Sequence, residues 1–148
     1  MNATSDGTGF SADEKAAMKQ RAEELRTTKG LKGAAKQARE LEACIDAIDA
    51  LEGIDSEVAT TFHRLVAEEA PDLRPKTMYG FPSYANADGK VVMFMQPKSK
   101  FDTRYPTVNF DEHANLDDGD MWPTSFAVVA VTDAVEKRLR ALVKQAVS

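Results

Sequence analysis

Hydrophobic positions at helical spacing mark three segments in the first half of the chain. The first segment begins at Ser11, whose hydroxyl can pair with Glu14 three residues later in a reciprocal capping box. A thin apolar stripe follows at Met18, Ala22 and Leu25. Because so narrow a stripe cannot hold an isolated helix, we expect this helix to lean on the rest of the domain or on a partner chain.

Two longer helices are predicted next, from about residue 34 to 51 and from residue 55 to about 70. Each has one apolar face, formed by Leu41, Cys44, Ile45, Ile48 and Leu51 in the first and by Val58, Phe62, Leu65 and Val66 in the second. Gly53 is predicted to end the first helix, Asp55 to cap the second and Pro71 to end it. The short connection around Gly53 favours an antiparallel helical hairpin.

Extended segments replace the helical pattern in the second half. The predicted strands are residues 76–81, 83–85, 90–96, 101–110 and 124–131. Asp88 and Gly89 predict a hairpin turn, because this pair tolerates positive φ at both central positions. Residues 90–96 show no alternation, which indicates a strand buried on both faces at the centre of the sheet. Pro106 favours an edge or a bulge in its strand.

A last amphipathic helix is predicted from Asp133, its expected cap, with Glu136 at the third helical position. Helices followed by strands and a closing helix are typical of an α+β fold, with the helices on one face of the sheet. We divide the chain into an N-terminal extension at residues 1–33, containing one helix and a basic linker, and an α+β domain at residues 34–148.

Composition limits the classes of partner. The formal net charge of -5 opposes a general attraction to nucleic acid. No apolar run approaches the roughly 20 residues of a membrane-spanning helix, and residues 1–9 lack the features of a secretory signal. The single cysteine cannot form an internal disulfide. These features together predict a soluble protein of a reducing compartment, the cytoplasm.

Two acidic segments are candidate metal sites. The loop at residues 111–120 contributes carboxylates and one imidazole, which suit a divalent ion, although its spacing is not that of an EF-hand. Its candidate ligands are Asp111, His113, Asp117, Asp118 and Asp120. The second segment is a predicted helical face with Glu42, Asp46 and Asp49 at positions i, i+4 and i+7. Two interpretations of these residues stay open, namely a weak iron-binding ridge and a surface that is only solvated.

Aromatic and basic residues cluster in the middle of the chain. An arginine flanked by tyrosines can hold an anion or stack on a planar ligand, whereas packing in the core is the alternative for the aromatic rings. The candidate ligand-binding residues are Tyr79, Tyr84, Lys98, Arg104, Tyr105 and Trp122.

Signals for catalysis are sparse. Cys44 lies in an apolar stripe and is predicted to be a small buried hydrophobe, and His63 lies off its stripe, toward solvent. The sequence contains no nucleophile elbow, P-loop or dinucleotide-binding fingerprint. His113 with Asp117 or Asp118 is the remaining acid–base candidate. The sequence therefore favours a non-enzymatic role.

The segment Tyr79-Gly80-Phe81-Pro82-Ser83-Tyr84 resembles the aromatic-Gly-Met-Pro-x-aromatic signature of the YdhG-like family, a domain of unknown function. Phe81 stands where the family has Met. The similarity covers about residues 41–147, through residues 89–94, the strand that ends at residue 110, residues 124–127 and the last helix. Residues 10–25 and 116–123 are similar to segments found in one branch of the family.

The resemblance implies a curved antiparallel sheet backed by helices, with Gly80 and Pro82 shaping a cleft. It also implies an alternative function, because one branch is described as frataxin-like iron chaperones that supply iron for iron–sulfur cluster or haem assembly. Acidic side chains are the iron contacts expected in that case. Our first hypothesis is a non-enzymatic binding module, monomeric or homodimeric, for a small anionic or planar ligand or a partner protein. The iron chaperone is the alternative.

Overall fold

The computed structural model describes residues 11–148, which adopt an α+β fold with an N-terminal helix, as predicted. The elements are α1 (Ala12–Thr28), α2 (Gly33–Asp49), α3 (Gly53–Glu69), β1 (Arg74–Met78), β2 (Phe81–Ala85), β3 (Val91–Gln96), α4 (Lys98–Phe101), β4 (Thr107–Phe110), β5 (Ser125–Ala127) and α5 (Asp133–Ala146). The part of the predicted extension that precedes Ser11, including the residues judged not to be a secretory signal, lies outside the described residues.

The strands form one open antiparallel sheet in chain order, β1 to β5. The predicted central position of β3 is confirmed. Met93 pairs with Phe110 and Phe94 pairs with Asn109, so these two pairs lie on opposite faces. We call the face with Met93 the inner face and the face with Phe94 the outer face. The predicted strands at residues 101–110 and 124–131 are shorter than expected, because α4 and irregular loops take up most of their length.

The core lies between the inner face of the sheet and helices α2, α3 and α5. Its members are apolar side chains from all four elements, among them Cys44, Val58, Phe62, Leu65, Met93, Met95, Val108, Leu139 and Val143. In α2, Cys44 and Ile48 are buried, whereas Leu41 and Ile45 are exposed because they flank the line of contact with the sheet. Within residues 11–148, no helix is both long and apolar enough to cross a bilayer.

Helix α1 packs differently from its prediction. The capping box is confirmed, since Glu14 N–H donates to the Ser11 hydroxyl and Ser11 N–H donates to the Glu14 carboxylate. The predicted apolar stripe, however, faces solvent, with Met18 49% and Leu25 56% exposed. The one buried residue of α1 is Glu24. The expectation that α1 leans on the rest of the domain is confirmed, but the contact is polar, because α1 packs against a backbone turn whose N–H groups require an acceptor.

Two predicted helix caps are also corrected. Helix α3 begins at Gly53, and the carboxylate of Asp55 does not cap it. Asp55 instead accepts hydrogen bonds from the N–H groups of Lys98 (2.8 Å) and Ser99 (3.1 Å), which begin α4. At α5 the cap is the hydroxyl of Thr132, which accepts the N–H of Val135, one position from the expectation.

The predicted hairpin at Asp88 and Gly89 is confirmed between β2 and β3, but a tighter, two-residue turn lies between β1 and β2. Tyr79 (φ 54°) and Gly80 (φ 84°) both adopt the left-handed conformation between β1 and β2, as a two-residue type I′ turn requires. Between β2 and β3 only Gly89 has positive φ. There the side-chain oxygen of Asn86 accepts the N–H groups of Asp88 and Lys90, which produces a longer loop.

Candidate functional site

An open groove of about 740 Å³ lies on the outer face of the sheet. Its floor is formed by Phe94 of β3, Asn109 of β4 and Ser125 of β5. These residues share one face because Phe94 pairs with Asn109 and Asn109 pairs with Ser125. The wall is the segment of residues 111–124, which we call the groove loop.

The groove loop is held against the domain by burial and hydrogen bonds. Ala114 and Leu116 insert into the core, where they are 7% and 5% exposed. Asn115 N–H donates to the Ala146 carbonyl (2.9 Å), and its side-chain amide donates to the Ser148 carbonyl (3.0 Å). The loop therefore has a defined position relative to the sheet, although its acidic side chains project into solvent.

The groove is negatively charged. Its wall carries four exposed carboxylates, from Asp111, Glu112, Asp117 and Asp120, and no lysine, arginine or histidine is among its described lining residues. Among residues 11–148, the one ion contact of this group is between Glu112 Oε1 and His113 Nε2, at 3.9 Å. The electrostatic field inside the groove therefore favours a positively charged ligand.

Apolar and oriented polar groups complete the site. Trp122 lies at the groove with part of its ring packed against the core, and Met121 beside it is 88% exposed. On the floor, the Ser125 hydroxyl donates to the Asn109 side-chain oxygen (2.7 Å), and the Asn109 amide donates to the Thr107 hydroxyl (2.9 Å). These bonds fix the orientation of the Asn109 amide.

The six predicted ligand-binding residues do not line one cleft. Trp122 lies at the groove, but Tyr84 is completely buried between sheet and helices, so its assignment to a cleft is corrected to the core. Tyr79 forms the turn between β1 and β2, and Lys98 begins α4. The aromatic-basic cluster is dispersed because only Tyr84 lies on a strand, whereas the other five residues belong to a turn, to α4 and to loops.

Arg104 and Tyr105 do lie together, in a shallow depression of about 400 Å³ on the outer face. The guanidinium carbon of Arg104 is 5.1 Å from the centre of the Tyr105 ring. Gln96 and Thr107, which pair across β3 and β4, border this depression two positions along from the floor of the groove. The depression and the groove are therefore neighbours on the outer face.

The concavity expected beside the Gly80–Pro82 bend is present, but its lining was not predicted. A cavity of about 450 Å³ lies between α1, α2 and the turn, with Gln20, Asp46, Gly80 and Lys100 in its lining. Helix α1 covers the bend itself, since Glu24 contacts the backbone of the turn.

A buried polar chain was missed in the sequence. The Tyr84 hydroxyl shares a hydrogen bond with His63 Nδ1 at 2.9 Å, and the Cys44 thiol bonds to the same hydroxyl. Burial raises the pKa of Cys44 to about 11, raises the pKa of Tyr84 well above its usual value and lowers the pKa of His63. His63 is thus half-buried rather than on the solvent side, and no spacing in the sequence signals its partner.

The predicted metal ligands do not converge. Glu42, Asp46 and Asp49 are exposed along α2. In the part of the chain that the structure describes, no three residues among His, Cys, Asp and Glu are placed to hold a metal ion. The predicted acid–base pair is not formed either, since His113 lies near the carboxylate of Glu112 rather than that of Asp117 or Asp118. The described residues therefore do not fit an iron site.

No family model, no curated protein and no solved structure matches this chain. The resemblance to the YdhG-like family consequently stays a prediction that rests on the signature at residues 79–84 and the segments after it. The groove on the outer face of the sheet is the site from which function can be argued.

Proposed function

We propose that this chain is a non-enzymatic binding module, and that its groove holds an ammonium or guanidinium group attached to an apolar or planar body. The observation that supports this proposal is the composition of the groove: four carboxylates, Trp122 and Phe94, without a basic residue among the described lining. Carboxylates attract the cation, while the aromatic surfaces accept its body.

The energetics suit a weak, salt-sensitive ligand. A cation on an exposed aromatic face gains about 0.5–1 kcal/mol, and each exposed ion pair contributes about 0.2–1 kcal/mol. Such pairs are screened at physiological salt. The planar ligand expected from the sequence is retained in this proposal, but the anionic one is replaced, because Asp111, Asp117 and Asp120 would repel it.

The distribution of titratable groups supports binding over catalysis. Catalytic acids, bases and nucleophiles commonly have shifted pKa values and lie in clefts. Here the shifted groups Cys44, His63 and Tyr84 belong to the core, and none of them is a lining residue of the groove. The groove itself presents carboxylates, hydroxyls and one amide.

The natural reporter for this site is Trp122, because it is the one tryptophan of the chain. We expect its fluorescence to change saturably with argininamide or spermidine, and to stay constant with acetate at equal ionic strength. A titration with a short arginine-containing peptide is the second experiment. It distinguishes binding of an arginine side chain of a partner protein from binding of a free amine. No response to any cationic probe would contradict the proposal.

A charge-neutral variant tests the carboxylates directly. The double substitution Asp117→Asn and Asp120→Asn should weaken argininamide binding about fivefold to tenfold, as the loss of two exposed ion pairs implies. The matched control is Asp49→Asn, which removes an exposed carboxylate of α2 that does not line the groove. Equal weakening by both variants would indicate a bulk charge effect rather than a site.

The compartment and the oligomeric state that we propose are those predicted from the sequence. We place the binding module in the cytoplasm, as a monomer or homodimer, because a single buried thiol suits a reducing compartment. The iron-chaperone alternative stays a prediction from the family resemblance, and no geometric observation favours it.

A further inference from the structure

Two backbone N–H groups of the β1–β2 turn bind one carboxylate. In a two-residue hairpin the central residues lie outside the strand ladder, whose last pair here is Met78 with Phe81. Tyr79 N–H donates to Glu24 Oε1 (3.1 Å), and Gly80 N–H donates to Glu24 Oε2 (2.9 Å). Each oxygen thus receives one donor, as in other backbone concavities that hold anions.

The surroundings of this carboxylate are buried and partly cationic. The Glu24 side chain is 8% exposed, and Arg21 Nη1 lies 3.6 Å from its Oε1. Lys100 approaches from α4, so closely that a methyl group on Gly80 would lie 2.8 Å from its Nζ. A buried N–H group requires an acceptor, and two converging N–H groups with cations beside them favour a negative one.

Helix α1 depends on that contact for its position. Glu24 is its one buried residue, whereas the apolar side chains of Met18 and Leu25 face solvent. Little apolar surface is therefore buried by docking α1, and charge-assisted hydrogen bonds supply much of its attachment. Glu24 behaves as a ligand that the chain itself carries.

We propose that the Tyr79–Gly80 turn is a carboxylate-binding site, and that α1 is its tethered occupant. When the Glu24 side chain leaves, the two N–H groups donate hydrogen bonds to the carboxylate of a small organic acid. Lys100 supplies a positive charge beside it. In the intact chain, the tether gives Glu24 a high effective concentration, so a free carboxylate competes poorly.

A carboxylate beside the turn limits the charge of that acid. Asp46 of α2 lines the neighbouring cavity, and it opposes a second negative charge on the ligand. The site therefore favours a monocarboxylate.

The test is an acetate titration of the full chain, labelled with ¹⁵N and observed through the amide resonances of Tyr79 and Gly80. In Glu24→Ala, which empties the site, we expect both amides to move downfield saturably with acetate. In the unsubstituted chain they should not move over the same range. Sodium chloride at equal ionic strength should move neither amide in either chain.

Two further variants make the result decisive. Glu42→Ala removes an exposed carboxylate of α2 that pairs with Arg39 and does not line the cavity beside the turn, so it should behave as the unsubstituted chain. If Glu24→Ala does not fold, Glu24→Gln replaces it, and a partial acetate response is expected. The proposal is overturned if acetate leaves both amides unmoved in the emptied chain, or moves them equally in the unsubstituted chain.

Discussion

The side chains of Cys44, Tyr84 and His63 make contacts that their residue types alone do not predict. The sequence correctly indicated that Cys44 is buried, because an apolar stripe surrounds it at helical spacing. It did not indicate the bond to Tyr84, since strand and helix partners are set by tertiary packing. Burial raises the pKa of the thiol to about 11, which keeps it protonated and unreactive near neutral pH.

The imidazole of His63 leads to a prediction on pH. Burial lowers its pKa in the folded chain below the 6.5 of an unperturbed imidazole. As the pH falls through 6.5, the unfolded chain therefore takes up a proton before the folded chain does. Stability should fall with the pH in that window, until the lower pKa of the folded state is also passed.

The measurement is urea unfolding at about pH 7.5 and about pH 5.5. We expect His63→Gln to reduce the loss of stability between these two conditions. The control is His113→Gln, which changes an exposed imidazole and should leave that loss intact. An unchanged pH dependence in the His63 variant would refute the assignment.

At the scale of elements, contacts with the β1–β2 turn decide what α1 does. The capping box predicted where α1 begins, because capping is a local interaction of residues three apart. Its buried side was not predicted, since Glu24 meets a turn 55 residues later in the chain. An acidic residue on a polar helix carries no signal of such a distant partner.

Two glycines provide a matched comparison of turns. Gly80 (φ 84°) and Gly89 (φ 82°) both adopt the left-handed conformation, which costs other residues about 1–2 kcal/mol. A methyl group on Gly89 would meet open space, whereas on Gly80 it would lie 2.8 Å from Lys100 Nζ and 2.9 Å from Gln20 Cγ.

We therefore expect Gly80→Ala to destabilise the fold more than Gly89→Ala does. The difference should be roughly 0.5–1 kcal/mol, because the two contacting side chains are flexible and can move at modest cost. Urea unfolding of both variants measures this difference. Equal effects would mean that α1 and α4 do not cover the turn in solution.

For the whole molecule, the structure divides the stabilising contacts unevenly. Helices α2 and α3 bury their apolar faces on the inner face of the sheet and α5 packs on α3, whereas α1 buries one carboxylate. The core therefore contains no buried residue of α1, and the boundary after residue 33 stays a prediction.

A chain that begins at Ala34 should consequently still fold cooperatively. It loses two charge-assisted hydrogen bonds, for which we expect a cost of about 2–3 kcal/mol and a fall in Tm of about 8–12 °C. Thermal unfolding followed by circular dichroism measures this change. Light scattering of both chains shows in addition whether α1 affects the oligomeric state, and loss of the cooperative transition would contradict the predicted boundary.

The sequence by itself determined the α+β class, the central position of β3, the apolar faces of α3 and α5 and the burial of Cys44 and Ile48 in α2, because periodicity and local capping are properties of neighbouring residues. Only the tertiary structure decided that Tyr84 enters the core, that Trp122 meets four carboxylates in a groove, and that Glu24 binds the turn. Those contacts join segments far apart in the chain. Their partners depend on strand register and on which face of the sheet each side chain takes. A register shift of one residue changes every pairing and moves each side chain to the opposite face.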